Sequence, residues 1–112
     1  MSHKQNHMET DVKRELSAVL REMKDPRLHD SVLSIVRIDL SSDLSHCKIY
    51  VSSIDGKEKA IEATDALTKA KGFIKKEIFT RLRLRRAPEL KFIPDDSVEY
   101  SAHINELLKK DL

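Results

Sequence analysis

Nine basic side chains crowd the stretch from residue 69 to residue 91: Lys69, Lys71, Lys75, Lys76, Arg81, Arg83, Arg85, Arg86 and Lys91. Only two carboxylates, Glu77 and Glu89, stand against them. Ammonium and guanidinium groups gathered this way create a local positive field suited to a polyanion. The arginines sharpen that reading, because Arg81, Arg83, Arg85 and Arg86 alternate with Leu82, Leu84 and Ala87, and the planar guanidinium matches phosphate oxygens better than an ammonium does. The competing reading is a lysine-rich helix face that is merely solvated. Acid exceeds base on both sides of the stretch, so the chain as a whole carries only +2.

Other reactive residue types are present without the company that catalysis requires. Cys47 is the only cysteine, which excludes an internal disulfide and fits a reducing cytoplasm. It opens an alternating apolar run and reads as a small buried hydrophobe, since no base stands beside it. His3 and His7 have the i, i+4 spacing of a helical metal pair, but they fall in a polar opening. His29, His46 and His103 are scattered, with no ligand cluster around them, so no metal site is expected. His46, in a turn, can also donate to RNA. No nucleophile elbow or oxyanion signature appears, and an enzyme is not expected. The two glycines, Gly56 and Gly72, are too far apart for a P-loop or a dinucleotide fingerprint, and no cofactor is expected.

These residues must be held by one domain, as 112 residues suit a single core with 39% hydrophobic and 36% charged residues. No apolar run approaches a membrane span and the opening residues have no signal-peptide character, so neither secretion nor a membrane is expected. Val12, Leu16, Val19, Leu20 and Met23 form one apolar stripe and predict a helix from about residue 10 to 24, with Thr10 as its cap. Asp25-Pro26 ends it. Arg27 either pairs with Asp25 or projects toward a phosphate.

Val32, Ile35, Val36 and Ile38 are β-branched, and Cys47, Ile49 and Val51 alternate with Lys48 and Tyr50. Both segments read as strands with one buried face, joined as a hairpin through Ser41-Ser42-Asp43-Leu44-Ser45. Ala60, Ala63, Leu67 and Ala70 then give helical spacing with small residues toward the sheet. Gly72 interrupts the pattern before Ile74, Ile78 and Leu82 resume it, which predicts a kink where glycine supplies conformational freedom. Phe73 and Phe79 are assigned to the core, leaving few aromatics to stack on bases. A third strand follows Pro88, with Leu90 and Phe92 on one face and Lys91 and Ile93 on the other. Pro94-Asp95-Asp96-Ser97 then caps a last helix bearing Val98, Ala102, Ile104, Leu107 and Leu108. The acids Asp95, Asp96 and Glu99 fit that cap, or a contact with a basic protein.

The resulting α+β order, α-β-β-α-kink-α-β-α, resembles the type II KH domain, a single unit with a three-stranded sheet and helices packed on one face. The Gly-x-x-Gly loop of that fold is replaced by Ala70-Lys71-Gly72. Together with Lys24-Asp25-Pro26-Arg27-Leu28, Ser42-Asp43-Leu44-Ser45-His46-Cys47-Lys48-Ile49-Tyr50-Val51, Leu67-Thr68-Lys69-Ala70-Lys71-Gly72-Phe73-Ile74, Leu82-Arg83-Leu84-Arg85, Ala87-Pro88-Glu89-Leu90-Lys91-Phe92 and Asp95-Asp96-Ser97, the chain is similar to the bacterial ribosome-binding factor A family over residues 10–108. Residues 1–9 and 109–112 are taken as tails. The opening His3-Lys4-Gln5-Asn6-His7 departs from the arginine-rich start common in that family.

The resemblance implies a cytoplasmic, monomeric, non-catalytic factor that binds the free small ribosomal subunit, assists late maturation of its RNA and supports growth in the cold. Ribosomal proteins or assembly GTPases are further candidate partners. Carried onto this chain, the RNA-binding face comprises Lys69, Ala70, Lys71, Gly72, Lys75, Lys76, Arg81, Arg83, Arg85 and Arg86. Recognition by shape and backbone is expected more than base reading. The alternative is a generic RNA-binding or protein-interaction module that uses the same basic helix-kink-helix face.

Overall fold

The computed structural model describes residues 3–29 and 32–96. Its elements are α1 (His3–Glu22), a short 3-10 turn (Pro26–Leu28), β1 (Leu33–Leu40), β2 (His46–Ser53), α2 (Lys57–Lys69), α3 (Lys71–Leu82) and β3 (Glu89–Asp95). The expected last helix, with His103, lies outside the described residues.

Helix α1 buries Val12, Leu16 and Val19, with Leu20 and Met23 packed beside them, as the stripe predicts. It begins at His3 rather than near Thr10. Met8 packs against the core, and Glu9 accepts a hydrogen bond from the Leu40 backbone N–H at 3.0 Å. The early turns are thus held by the sheet, and Thr10 lies inside the helix instead of capping it. At the other end Asp25 caps the 3-10 turn by accepting from the Arg27 N–H at 3.0 Å.

Strands β1 and β2 pair antiparallel, and β2 and β3 pair parallel, in the order β1-β2-β3. A parallel neighbour requires a crossover connection, here supplied by α2 and α3. Cys47, Ile49 and Val51 of β2 and Leu90 and Phe92 of β3 are buried, while Lys48 and Lys91, register partners, are exposed. In β1 the register shifts between Ile35 and Arg37. The extra residue, Val36, lets both Ile35 and Ile38 face inward although plain alternation would put them on opposite faces. Val32, just ahead of β1, is 68% exposed.

Helices α1 and α2 cover the sheet and α3 packs on α1. Ala60, Ala63, Ala66 and Leu67 are buried on α2, the small residues bringing its backbone close to the strands. This is the type II KH arrangement that the element order predicts. Gly56, with φ 118° and ψ 166°, starts α2 in a backbone region open essentially to glycine alone. Among the described residues no helix is long and apolar enough to cross a membrane.

Candidate nucleic-acid interface

The break between α2 and α3 falls on Ala70, at φ −94° and ψ 11°. That conformation is open to any L-residue, so the expected role of Gly72 as the flexible point is corrected. Gly72 lies inside α3 with ordinary φ and with nothing within 4 Å of where a Cβ would stand. Ala70 is half-buried and packs against the core, and its N–H donates to the Ala66 carbonyl at 3.1 Å. No side chain caps α3, so the positive end of its dipole opens toward the flanking lysines.

The basic side chains divide by their partners. Lys69 is exposed and close enough to Asp25 to help hold that carboxyl below its usual range, although the Arg27 hydrogen bond is the main cause. Lys75 donates to Glu89 at 2.6 Å. Glu89 is held below the ordinary carboxylate range first by that bond and by the Lys75 charge, then more weakly by Lys71 and His46. Lys71, Lys75 and His46 thereby surround one carboxylate where α3 passes the start of β3.

Arg81 is the most fully engaged cation. Its guanidinium lies 2.8 Å from Glu22, 3.3 Å from Glu77 and 3.8 Å from Glu15, which joins α3 to α1. Arg27 likewise bonds Asp25 through Nε at 3.2 Å and Nη2 at 2.9 Å, so the pairing alternative holds for it. Lys69, Lys71, Lys76, Arg83, Arg85 and Arg86 make no salt bridge within 4 Å among the described residues.

The unpaired cations do not form a single cluster. Lys69 and Lys71 flank the kink. Arg83 lies about 18 Å from Lys71 along the helix axis, taking 1.5 Å per residue, and with Arg85 and Arg86, which follow the helix, it rims a groove of about 380 Å³. Met8, Leu44 and Leu84 line its apolar part and Asp43 its acidic side. Lys76 stands between the two groups on the exposed side of α3. The site is therefore an elongated basic track that runs from the α2–α3 kink, along α3, to the loop that follows it.

Two aromatic residues on that track were misplaced by sequence reasoning. Phe73 is 54% exposed and Phe79 is 39% exposed, which overturns their assignment to the core. The helical wheel held the signal: with Ile74 and Ile78 fully buried, residues 73 and 79 both fall on the outer side. On the sheet's other face Arg37 stacks over Tyr50 at 4.2 Å, beside exposed Lys48 and Lys91. Cys47 is buried as expected, and burial pushes its thiol pKa up to about 12.

The family model described as ribosome-binding factor A matches residues 4–108. The chain belongs to the ribosome-binding factor A family. It is similar to the ribosome-binding factor A of Caldicellulosiruptor bescii, 43% identical over 102 residues covering 89% of this chain and 77% of the relative. The Carboxydothermus hydrogenoformans protein of the same family is 44% identical over 109 residues, covering 96% and 86%. Among solved structures it resembles ribosome-binding factor A from Thermus thermophilus, with a TM-score of 0.70, 32% identity, and coverage of 80% and 93%. A Thermus thermophilus homology model of the factor, fitted into a cryo-EM map of its 30S complex, matches with a TM-score of 0.64 at 31% identity, covering 79% and 91%. Membership in the family, with its KH-like fold, thus agrees with the separated motifs read from the sequence.

Proposed function

We propose that this protein binds the free small ribosomal subunit in the cytoplasm and assists late maturation of its ribosomal RNA, as a non-catalytic, monomeric factor that also supports growth in the cold. The observation that carries the reading is the track of cations that make no salt bridge among the described residues, from Lys69 and Lys71 beside the α2–α3 kink to Arg83, Arg85 and Arg86 at and beyond the end of α3. Phosphates are the partner such a track recognises, because ammonium and guanidinium groups gain most where they replace condensed counterions. The 30S complex fitted for the Thermus thermophilus relative supports the choice of the small subunit. Lys75 and Arg81 contribute mainly through their internal carboxylate partners, while Ala70 forms the kink and Gly72 leaves the α3 backbone beside it open to approach. Ribosomal proteins and assembly GTPases are compatible neighbours on the subunit.

Salt dependence tests the polyanion part directly. With four or five phosphates neutralised, the logarithm of the affinity for small-subunit RNA falls against the logarithm of salt with a slope of roughly −3 to −4.5. A flat salt response, or no RNA affinity at physiological salt, contradicts the reading and favours a protein-interaction module.

A further inference from the structure

The outer face of α3 carries more than positive charge. Taking about 100° per residue, Phe79, Gly72, Arg83, Lys76, Thr80 and Phe73 fall in that angular order within an arc of about 120°. All six are exposed. One exposed hydrophobe needs no explanation, but here two rings border an arc that holds two cations and no carboxylate, with Lys76 between the rings along the axis and Arg83 about 6 Å beyond Phe79. The acid at the edge of the arc, Glu77, is occupied by Arg81 at 3.3 Å.

Two further observations concern the same face. Arg83 holds φ 52° and ψ 46° at the end of α3, a left-handed conformation that favours glycine. An arginine kept there at a conformational cost is better explained by what its side chain does than by the turn. At the other end Gly72 has nothing within 4 Å of a would-be Cβ, so the arc begins on bare helix backbone.

We propose that this face is a stacking platform for unpaired nucleotides. Phe73 and Phe79 each take the face of a splayed base, and Lys76 and Arg83 hold the phosphates that link them. The inference rests on the RNA-binding reading above and specifies its substrate as single-stranded RNA. Spacing supports it: the two rings stand about 9 Å apart along the axis and about 120° apart around it, well beyond the ~3.4 Å between neighbouring bases in a stack. Two bases unstacked from one another, with phosphate between, fit that interval. An apolar protein surface fits less well, because it would strip water from Lys76 and Arg83 without giving them a partner.

The chain has no tryptophan, so Phe73→Trp and Phe79→Trp each introduce a single indole that reports on its own ring position. The probes are a twelve-nucleotide oligoadenylate and an RNA duplex of the same length, at low and at physiological salt. Oligoadenylate is expected to quench both indoles. Phe73→Leu and Phe79→Leu, which keep apolar bulk and helix propensity, are each expected to weaken oligoadenylate binding roughly ten-fold while leaving duplex binding within about two-fold. Unchanged oligoadenylate affinity in both leucine variants, with wild-type binding intact, overturns the platform and leaves the RNA-binding reading standing. Indoles that respond to RNA-free small-subunit proteins but not to oligoadenylate overturn it in favour of a protein partner. Failure of the wild-type protein to bind either RNA at low salt removes the RNA-binding reading, and the platform with it.

Discussion

Arg81 Nη2 of α3 lies 2.8 Å from Glu22 Oε2 of α1, two residues separated by 59 positions in the chain. Glu77 and Glu15 complete the cluster, and Glu22 first and Glu77 second raise the guanidinium pKa above its ordinary value. A residue inside the basic run is thereby a clamp between helices. Arg81→Gln is expected to lower Tm modestly, since partly exposed ion pairs contribute little, and to leave RNA affinity within about two-fold. Arg85→Gln combined with Arg86→Gln should show the reverse, with Tm nearly constant and RNA affinity reduced. Thermal unfolding and RNA titration of the two variants check both halves.

Arg83 offers a case where stability and binding move in opposite directions. Glycine relieves the left-handed backbone, so Arg83→Gly is expected to stabilise the fold by about 1 kcal/mol in denaturant unfolding. The same change removes a cation from the track and should weaken RNA binding. A variant that is both less stable and fully competent to bind contradicts the role assigned to Arg83.

The two glycines should respond with opposite signs. Gly56→Ala forces a side chain into φ 118°, ψ 166° and is expected to cost about 1–3 kcal/mol. Gly72→Ala meets open space inside a helix and is expected to stabilise by about 0.5–1 kcal/mol. Equilibrium unfolding of the two variants measures the contrast. Loss of small-subunit binding in the stabilised Gly72→Ala protein would then report on close approach to the α3 backbone.

Cys47 connects burial to pH. Its thiol, ordinarily near 9, is raised to about 12 by burial first and by the Glu9 and Asp39 charges second. Between those values the unfolded chain loses the thiol proton while the folded protein keeps it, so this group's contribution to stability falls as pH rises through that window. Cys47→Ala should remove that part of the alkaline decline. At neutral pH iodoacetamide should label wild-type Cys47 only as fast as the protein opens, and labelling at the rate of a free thiol contradicts its burial.

Much of this was legible from residue spacing. The stripe Val12, Leu16, Val19 marks the buried side of α1, and the alternation Cys47, Ile49, Val51 marks the buried face of β2, because side-chain direction follows the helix and strand periods. Residues 3–9 lack such a stripe, and their helix is held by nonlocal contacts of Met8 and Glu9 with the core and the end of β1. The kink was legible in position but not in cause, as glycine was credited with what Ala70 does. Residue type points Phe73 and Phe79 to the core, whereas the wheel turns each of them about 100–140° away from Ile74 and Ile78. The separation of the basic run into clamps and free cations was not legible at all. Lys75 meets Glu89 across 14 residues and Arg81 meets Glu22 across 59, contacts set by topology.

Co-sedimentation with free small subunits, free large subunits and assembled ribosomes tests the central claim most directly, using the wild-type protein and a Lys71→Glu, Arg86→Glu double variant. Both substituted residues are cations without a salt bridge among the described residues, one at each end of the track, so folding should be preserved and only the surface field changed. The account predicts wild-type binding confined to free small subunits and strongly reduced in the variant. Equal sedimentation of wild type and variant, or no preference of the wild type for free small subunits, would contradict it.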